Sequence, residues 1–205
     1  MNLSDYVIYF DAAFTLIKPK KSVGEHYADI AEKYGYKPNA QALNQNFKPA
    51  FQSARKKRDR MMIGNEAETK NFWRQVVSDI FRRSEEEIPP DPYFEELFDA
   101  FATRDFWAVY EDTFSSLEMI QKSGIRIGLL SNFDSRLFPI IRDLDLNDFF
   151  HAMVVSCNEK VEKPDPEIFQ IAEQKLPGKQ HAIIGDTYED DIEGGIRAGW
   201  LPVHL

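Results

Sequence analysis

Tyr6-Val7-Ile8-Tyr9-Phe10-Asp11-Ala12-Ala13-Phe14-Thr15 opens as an unbroken run of β-branched and aromatic residues and ends in an acid and, four residues on, a threonine. A run that is apolar at every position predicts a strand buried on both faces, as in the centre of a parallel sheet. Open α/β sheets present their ligands beyond the carboxyl ends of such strands, which places Asp11 in a crevice. A lone acid after a strand serves equally well as a helix N-cap or turn former, so its role is decided by the rest of the chain.

The second half alternates between strand and helix patterns, which builds a parallel sheet. Strands are predicted at Ile125–Leu130, Ala152–Ser156, His181–Ile184 and Trp200–Leu205, with helices at Ser135–Leu144, Pro166–Lys175 and Asp191–Ala198. Between the first strand and this half, apolar residues recur with the helical period. Val23, Tyr27, Ile30, Ala31 and Tyr34 mark one helix, and Leu43, Phe47, Ala50, Phe51 and Ala54 a second, running to about Arg58. Phe72, Trp73, Val76, Val77, Ile80 and Phe81 mark a third, and Phe94, Leu97, Phe98 and Phe101 a fourth. Four amphipathic helices with no strand between them predict a helical insertion, residues 18–108, in an α/β core made of residues 1–17 and 109–205.

The chain has 205 residues, 43% of them hydrophobic, enough to bury a core. A net charge of -9 disfavours nucleic-acid binding, which needs clustered Lys and Arg. The one cysteine, Cys157, excludes an internal disulfide framework and reads as a small buried residue of a cytoplasmic protein. No apolar run approaches the roughly 20 residues of a membrane span, and no basic-then-apolar leader is present. Arg55-Lys56-Lys57-Arg58 with Arg60 reads as a solvated helix end rather than an anion-attracting lip, Met61-Met62 as adaptable packing, and the four histidines as structural. A soluble monomer or homodimer is expected.

The strands end in chemistry. Asp11 follows the first, Ser131-Asn132 the second and Gly185-Asp186 the fourth, while the loop after the third leads to Lys163-Pro164-Asp165-Pro166. A carboxylate, a hydroxyl, an ammonium and an acidic cluster on carboxyl-end loops are what phosphoryl transfer to a protein carboxylate needs. The acid would attack phosphorus, the hydroxyl and ammonium would hold the non-bridging oxygens, and the acidic cluster would take a hard cation. Mg²⁺ suits it, since it binds through one or two carboxylates together with phosphate oxygen and water.

Four ordered stretches, Phe10-Asp11-Ala12-Ala13-Phe14-Thr15, Leu130-Ser131-Asn132-Phe133-Asp134, Glu162-Lys163-Pro164-Asp165-Pro166-Glu167-Ile168-Phe169 and Ile184-Gly185-Asp186 through Gly195, carry a resemblance to the haloacid dehalogenase-like hydrolase superfamily, in its subgroup with a helical cap after the first strand. The resemblance implies a Rossmann-like, doubly wound core, Asp11 as nucleophile, Ser131 and Lys163 as phosphate ligands and Thr15 ordering the first loop. It further implies Mg²⁺ held by Asp11, the Ala13 carbonyl, Asp186 and, through water, Asp191. Ala12, Ala13 and Asn132 complete the expected site for a small phosphorylated metabolite. Two positions depart from the pattern. The family's phosphatases usually carry a second Asp, the general acid and base, where this chain has Ala13, and a Gly where it has Phe14. Phosphonoacetaldehyde hydrolases also carry Ala there but use a cap lysine, and none of Lys56, Lys57 and Lys70 stands in that context. A metal-free dehalogenase fits poorly with Asp186 and Asp191. The expectation is a Mg²⁺-dependent phosphohydrolase with weakened acid catalysis; the alternative is a weak or silent relative that binds a phosphate ligand or a protein partner.

Overall fold

The computed structural model describes residues 5–57, 64 and 66–205. In chain order the strands are β1 (Tyr6–Phe10), β2 (Ile17–Pro19), β3 (Trp107–Val109), β4 (Arg126–Ser131), β5 (Ala152–Val155), β6 (Gln180–Gly185) and β7 (Leu201–His204). The helices are α1 (Val23–Glu32), α2 (Ala40–Lys57), α3 (Glu66–Arg83), α4 (Asp91–Ala100), α5 (Thr113–Lys122), α6 (Leu137–Asp143), α7 (Ser156–Glu159), α8 (Pro166–Lys175) and α9 (Gly194–Arg197), with a π-helical stretch at Tyr188–Glu193.

β1 lies at the centre of a five-stranded sheet in the order β5-β4-β1-β6-β7, and its pairings with β4 and β6, like those of β4 with β5 and β6 with β7, are parallel. Its continuous apolar run is explained by this place: Val7 and Tyr9 are fully buried, with helices covering the sheet. Tyr9 stacks on Trp200, which meets Phe169 edge-on, and the Tyr9 hydroxyl donates to the Ala172 carbonyl at 2.7 Å, so this fully buried ring also satisfies its polar end. From β1 the strand order runs outward to β4 and β5 on one side and to β6 and β7 on the other. The order therefore reverses at β1, and the crevice of a doubly wound sheet opens beyond the carboxyl end of that strand.

The chain divides into two units, Met1–Lys18 with Ala108–Leu205 and Pro19–Trp107, and β2 and β3, at the two crossings between them, pair as a separate two-stranded sheet. The second unit is helical. Leu43, Ala50, Val76, Ile80, Phe81 and Tyr93 form its fully buried centre, drawn from α2, α3 and α4 at the spacing the periodicity predicts. α1 begins with a capping box: the Ser22 hydroxyl accepts from the Glu25 amide and the Glu25 carboxylate accepts from the Ser22 amide. Arg58, Arg60 and Met61-Met62 lie outside the described residues.

Three features were not visible as sequence patterns. Ile17–Pro19 pairs as β2. α5 carries only Thr113 and Leu117 as buried residues, too few for an apolar stripe to be recognised. The last predicted helix, Asp191–Ala198, is instead a π-helical turn followed by the four residues of α9. The widened turn brings Asp191 inward against β6, as the site shows. Among the described residues no helix is long and apolar enough to cross a membrane.

Candidate active site

The site is built at the carboxyl ends of β1, β4 and β6. Asp11 is the first residue beyond β1, and its amide donates to the Ile184 carbonyl at 2.9 Å, which carries the sheet register one residue into the loop. The chain then turns back sharply. The Ala12 carbonyl accepts from the Leu16 and Ile17 amides at 2.9 and 3.0 Å, and the Phe14 amide donates to Ile17 at 2.7 Å. This turn holds Phe14 at φ 65°, the left-handed region, which costs an L-residue about 1–2 kcal/mol relative to the right-handed one. It also buries the Thr15 hydroxyl, which has no hydrogen-bond partner, an arrangement that costs about 1–3 kcal/mol. The Leu16 carbonyl is pinned by the Tyr110 amide at 3.1 Å and the Thr113 hydroxyl at 3.0 Å.

Lys163 is the hub. Only 1% exposed, its ammonium spends its three protons on Asp11 Oδ1 at 2.8 Å, Asp191 Oδ1 at 2.5 Å and the Leu130 carbonyl at 2.8 Å. Burial disfavours the ammonium, but the charges of Asp11 and Asp191 and their hydrogen bonds outweigh it and hold Lys163 above its ordinary value. For Asp11 burial dominates: it pushes the carboxyl up against the pull of Lys163, and the Asp191 charge adds to the rise. Burial, with Asp191 next, likewise raises Asp186.

Asn132 places the hub. Its Oδ1 accepts from the Lys163 amide at 2.7 Å and its Nδ2 donates to the Lys163 carbonyl at 2.8 Å, with a longer contact to Asp190 at 3.3 Å. Expected among the substrate-binding residues, Asn132 has its amide committed to the main chain that carries the lysine. Ser131, the last residue of β4, is buried at the same end of the sheet.

Asp191 reaches Lys163 from the π-helical turn. Its Oδ2 accepts from the Thr187 amide at 3.0 Å, and its own amide donates to the Thr187 carbonyl at 2.8 Å. Such turns are rare and concentrate at functional sites. Gly185 makes room for it, because a Cβ there would stand 2.2 Å from the Asp191 carboxylate. The close approach was not apparent from Gly185-Asp186 alone. Nor was the role of His204, whose ring meets the Asp186 carbonyl at 3.1 Å; the other histidines lie away from this loop, His26 packed on Phe106, His151 beside Ile127 and His181 on Leu176.

The donor set suits a hard divalent cation. Asp11 and Asp186 are raised by burial and by neighbouring negative charge, the environment that a cation relieves. Both oxygens of Asp191 are engaged by Lys163 and Thr187, and among the described residues no three His, Cys, Asp or Glu side chains form a metal-binding group by themselves. Mg²⁺ needs no such group, since water and substrate oxygens fill much of its shell.

A parallel doubly wound sheet with an acid, a lysine and an acidic loop at its switch point is a Rossmann-like α/β architecture with its candidate site where such folds hold ligands. The sequence model described as "Hydrolase: haloacid dehalogenase-like hydrolase" matches residues 7–199, and the chain belongs to that family. It is 28% identical over 197 residues to haloacid dehalogenase-like hydrolase domain-containing protein 3 of Bos taurus, covering 94% of this chain and 78% of that protein. Among solved structures, the putative HAD-hydrolase YfnB from Bacillus subtilis, bound to magnesium, superposes with TM-score 0.76 at 18% identity, covering 98% of this chain and 88% of that one. The HAD phosphatase from Thermococcus onnurineus gives 0.63 at 17%, covering 98% and 86%. L-2-haloacid dehalogenase from Xanthobacter autotrophicus gives 0.70 at 17%, covering 98% and 77%. At these identities the structures show the fold alone.

Proposed function

We propose that the chain is a Mg²⁺-dependent hydrolase of a small phosphorylated molecule, acting through an aspartyl-phosphate at Asp11, with the helical unit as its cap. The observation that carries this reading is the Lys163 ammonium, buried and bonded at once to Asp11 and Asp191. A buried ion triad is weak evidence for stability, since apolar residues of similar volume often do as well. Held beyond the carboxyl ends of β1 and β4, the triad supplies a fixed nucleophile and a positive charge beside it.

In the proposed reaction an Asp11 carboxylate oxygen attacks phosphorus, and the bond to the leaving oxygen breaks with its electron pair going to that oxygen. Water then attacks the same phosphorus, the bond from phosphorus to Asp11 breaks with its electron pair returning to the carboxylate, and inorganic phosphate leaves carrying the protons of the water. Lys163 stays charged throughout and offsets the negative charge gathered on the phosphoryl oxygens, with Ser131 as a hydrogen-bond donor. Asp11, Asp186 and the Ala13 carbonyl would hold Mg²⁺, with Asp191 in support; the ion would supply further charge neutralisation at the phosphoryl group. Membership of the haloacid dehalogenase-like hydrolase family supports hydrolytic chemistry, and the upward-shifted carboxyls of Asp11 and Asp186 support a cation beside them.

Ala13 has no proton to give, so leaving groups that depart as anions are favoured. The same absence favours a second reading, a relative that binds phosphate without turning it over. Acid quench and mass spectrometry of protein incubated with Mg²⁺ and acetyl phosphate distinguishes them. Phosphate on Asp11, absent in Asp11→Asn, is the expected result. No adduct and no released phosphate in a protein that binds Mg²⁺ overturns the enzyme reading. In the same assay Asp186→Ala should lose Mg²⁺-dependent turnover, whereas Glu189→Ala, on the same loop, should lose far less.

A further inference from the structure

Phe14 takes a backbone conformation that is strained for an aromatic residue. Among the described residues three other non-glycine residues take positive φ, namely Glu85, Asp145 and Lys160, and each sits at the end of a helix. There the left-handed residue closes the helix: Glu86 reaches back to Phe81, Leu146 to Ile141 and the Lys160 amide to Ser156. All three are polar and exposed. Phe14 is aromatic, lies in the turn after β1, and stands three residues from the nucleophile. Glycine would adopt this conformation without strain.

Burial offsets the strain only in part: Phe14 remains 46% exposed, and the core rings that pair with one another do not include it. Residues held in strained backbone conformations cluster at active sites and ligand clamps. Phe14 is therefore a partly exposed apolar ring on the nucleophile's own loop, three residues from Asp11. Its neighbour Ala13 withholds the proton that an alkoxide would need on departure, and a phenolate needs none.

We infer that Phe14 is a specificity-determining residue that packs against an aromatic leaving group, so that the preferred substrate is a small phosphate monoester of a phenol. The inference rests on the aspartyl-phosphate reading for its chemistry, but the ring contact can be tested without turnover. Aromatic pairs contribute beyond their buried area, and the contact should be worth roughly three- to tenfold.

The experiment compares phenyl phosphate with acetyl phosphate, an activated substrate without a ring, in wild type, Phe14→Leu and Phe14→Tyr. The ratio of kcat/KM for phenyl over acetyl phosphate should fall about three- to tenfold in Phe14→Leu, mainly through a higher phenyl phosphate KM, and should be kept in Phe14→Tyr. An unchanged ratio in Phe14→Leu overturns the inference. Binding of phenylphosphonate and methylphosphonate in the presence of Mg²⁺, measured by calorimetry, gives the same comparison without catalysis. A preference for the phenyl compound that Phe14→Leu abolishes sustains the ring contact even where no variant turns over, a result that would sink only the hydrolase reading. Equal affinity for the two phosphonates in wild type overturns the ring contact itself.

Discussion

Asn132 grips the main chain of Lys163 from both sides, accepting from its amide at 2.7 Å and donating to its carbonyl at 2.8 Å. The residue that ends β4 is thereby followed by one that fixes the lysine serving Asp11, 31 positions further along the chain. Neither bond survives in Asn132→Ala, and two partly buried main-chain groups lose their partner. Orphaned buried groups cost about 1–3 kcal/mol each. We expect a loss of about 2–4 kcal/mol by urea unfolding, with activity falling through kcat more than through KM if the lysine drifts. A variant as stable as wild type would show that the clamp is dispensable.

Lys163→Met should be far more damaging than the loss of a surface lysine. It leaves Asp11 and Asp191 buried side by side without a cation, and removing one partner of a buried ion pair costs about 3–5 kcal/mol. Lys122→Met breaks an i,i+4 pair with Glu118 in which the two side chains are 75% and 53% exposed. Such pairs contribute little, so its melting temperature should stay within about 2 °C of wild type. Similar losses in the two variants would contradict the account of the hub.

His26 makes the helical unit sensitive to acid. Its ring is buried, stacked on Phe106 at 4.2 Å and edge-on to Phe101, and it accepts a hydrogen bond from the Lys21 amide, a role open only to an unprotonated nitrogen. Burial holds its pKa below the ordinary value, with Asp29 and Glu25 pulling the other way. Between the folded value and the ordinary value near 6.5 the unfolded chain binds more protons, so stability falls as pH drops through this window. Unfolding free energies of wild type and His26→Gln, measured at pH 7.5 and 5.5, should converge at the lower pH. A difference independent of pH would show that the ring titrates alike in the folded and unfolded chain.

Much of the fold was legible because its signals are local and strong. The apolar run of β1, the helical period of α1 through α4 and the polar residue ending each core strand are all readable within a dozen residues. What was not legible depends on partners far along the chain. The amide of Asn132 answers to Lys163, the absent side chain of Gly185 answers to Asp191, and the π-helical turn exists because Asp191 must meet a lysine 28 positions earlier. The sequence marks Phe14 as a departure from glycine, but only the backbone angle shows that the departure is strained.

Ala13 gives the sharpest test of how the proposed chemistry has adapted. It lies in the turn after Asp11, paired with Ile17 in an isolated parallel bridge and only partly buried, so a longer side chain has somewhere to go. Ala13→Asp would place a carboxyl two residues from the nucleophile, where it can protonate a departing alkoxide and then deprotonate the attacking water. Positioned acid–base catalysis typically contributes about 10²–10⁴-fold. The gain should be unequal: an alkyl phosphate, whose leaving group needs the proton, should improve at least tenfold more than phenyl phosphate, whose leaving group does not. If wild type accumulates phosphorylated Asp11 because water attack is unassisted, the pre-steady-state burst with phenyl phosphate should shrink in Ala13→Asp as the second step accelerates. A uniform gain for both substrates would mean that the new carboxylate acts on water alone, and no gain in a folded, Mg²⁺-binding variant would place the rate limit elsewhere than at proton transfer.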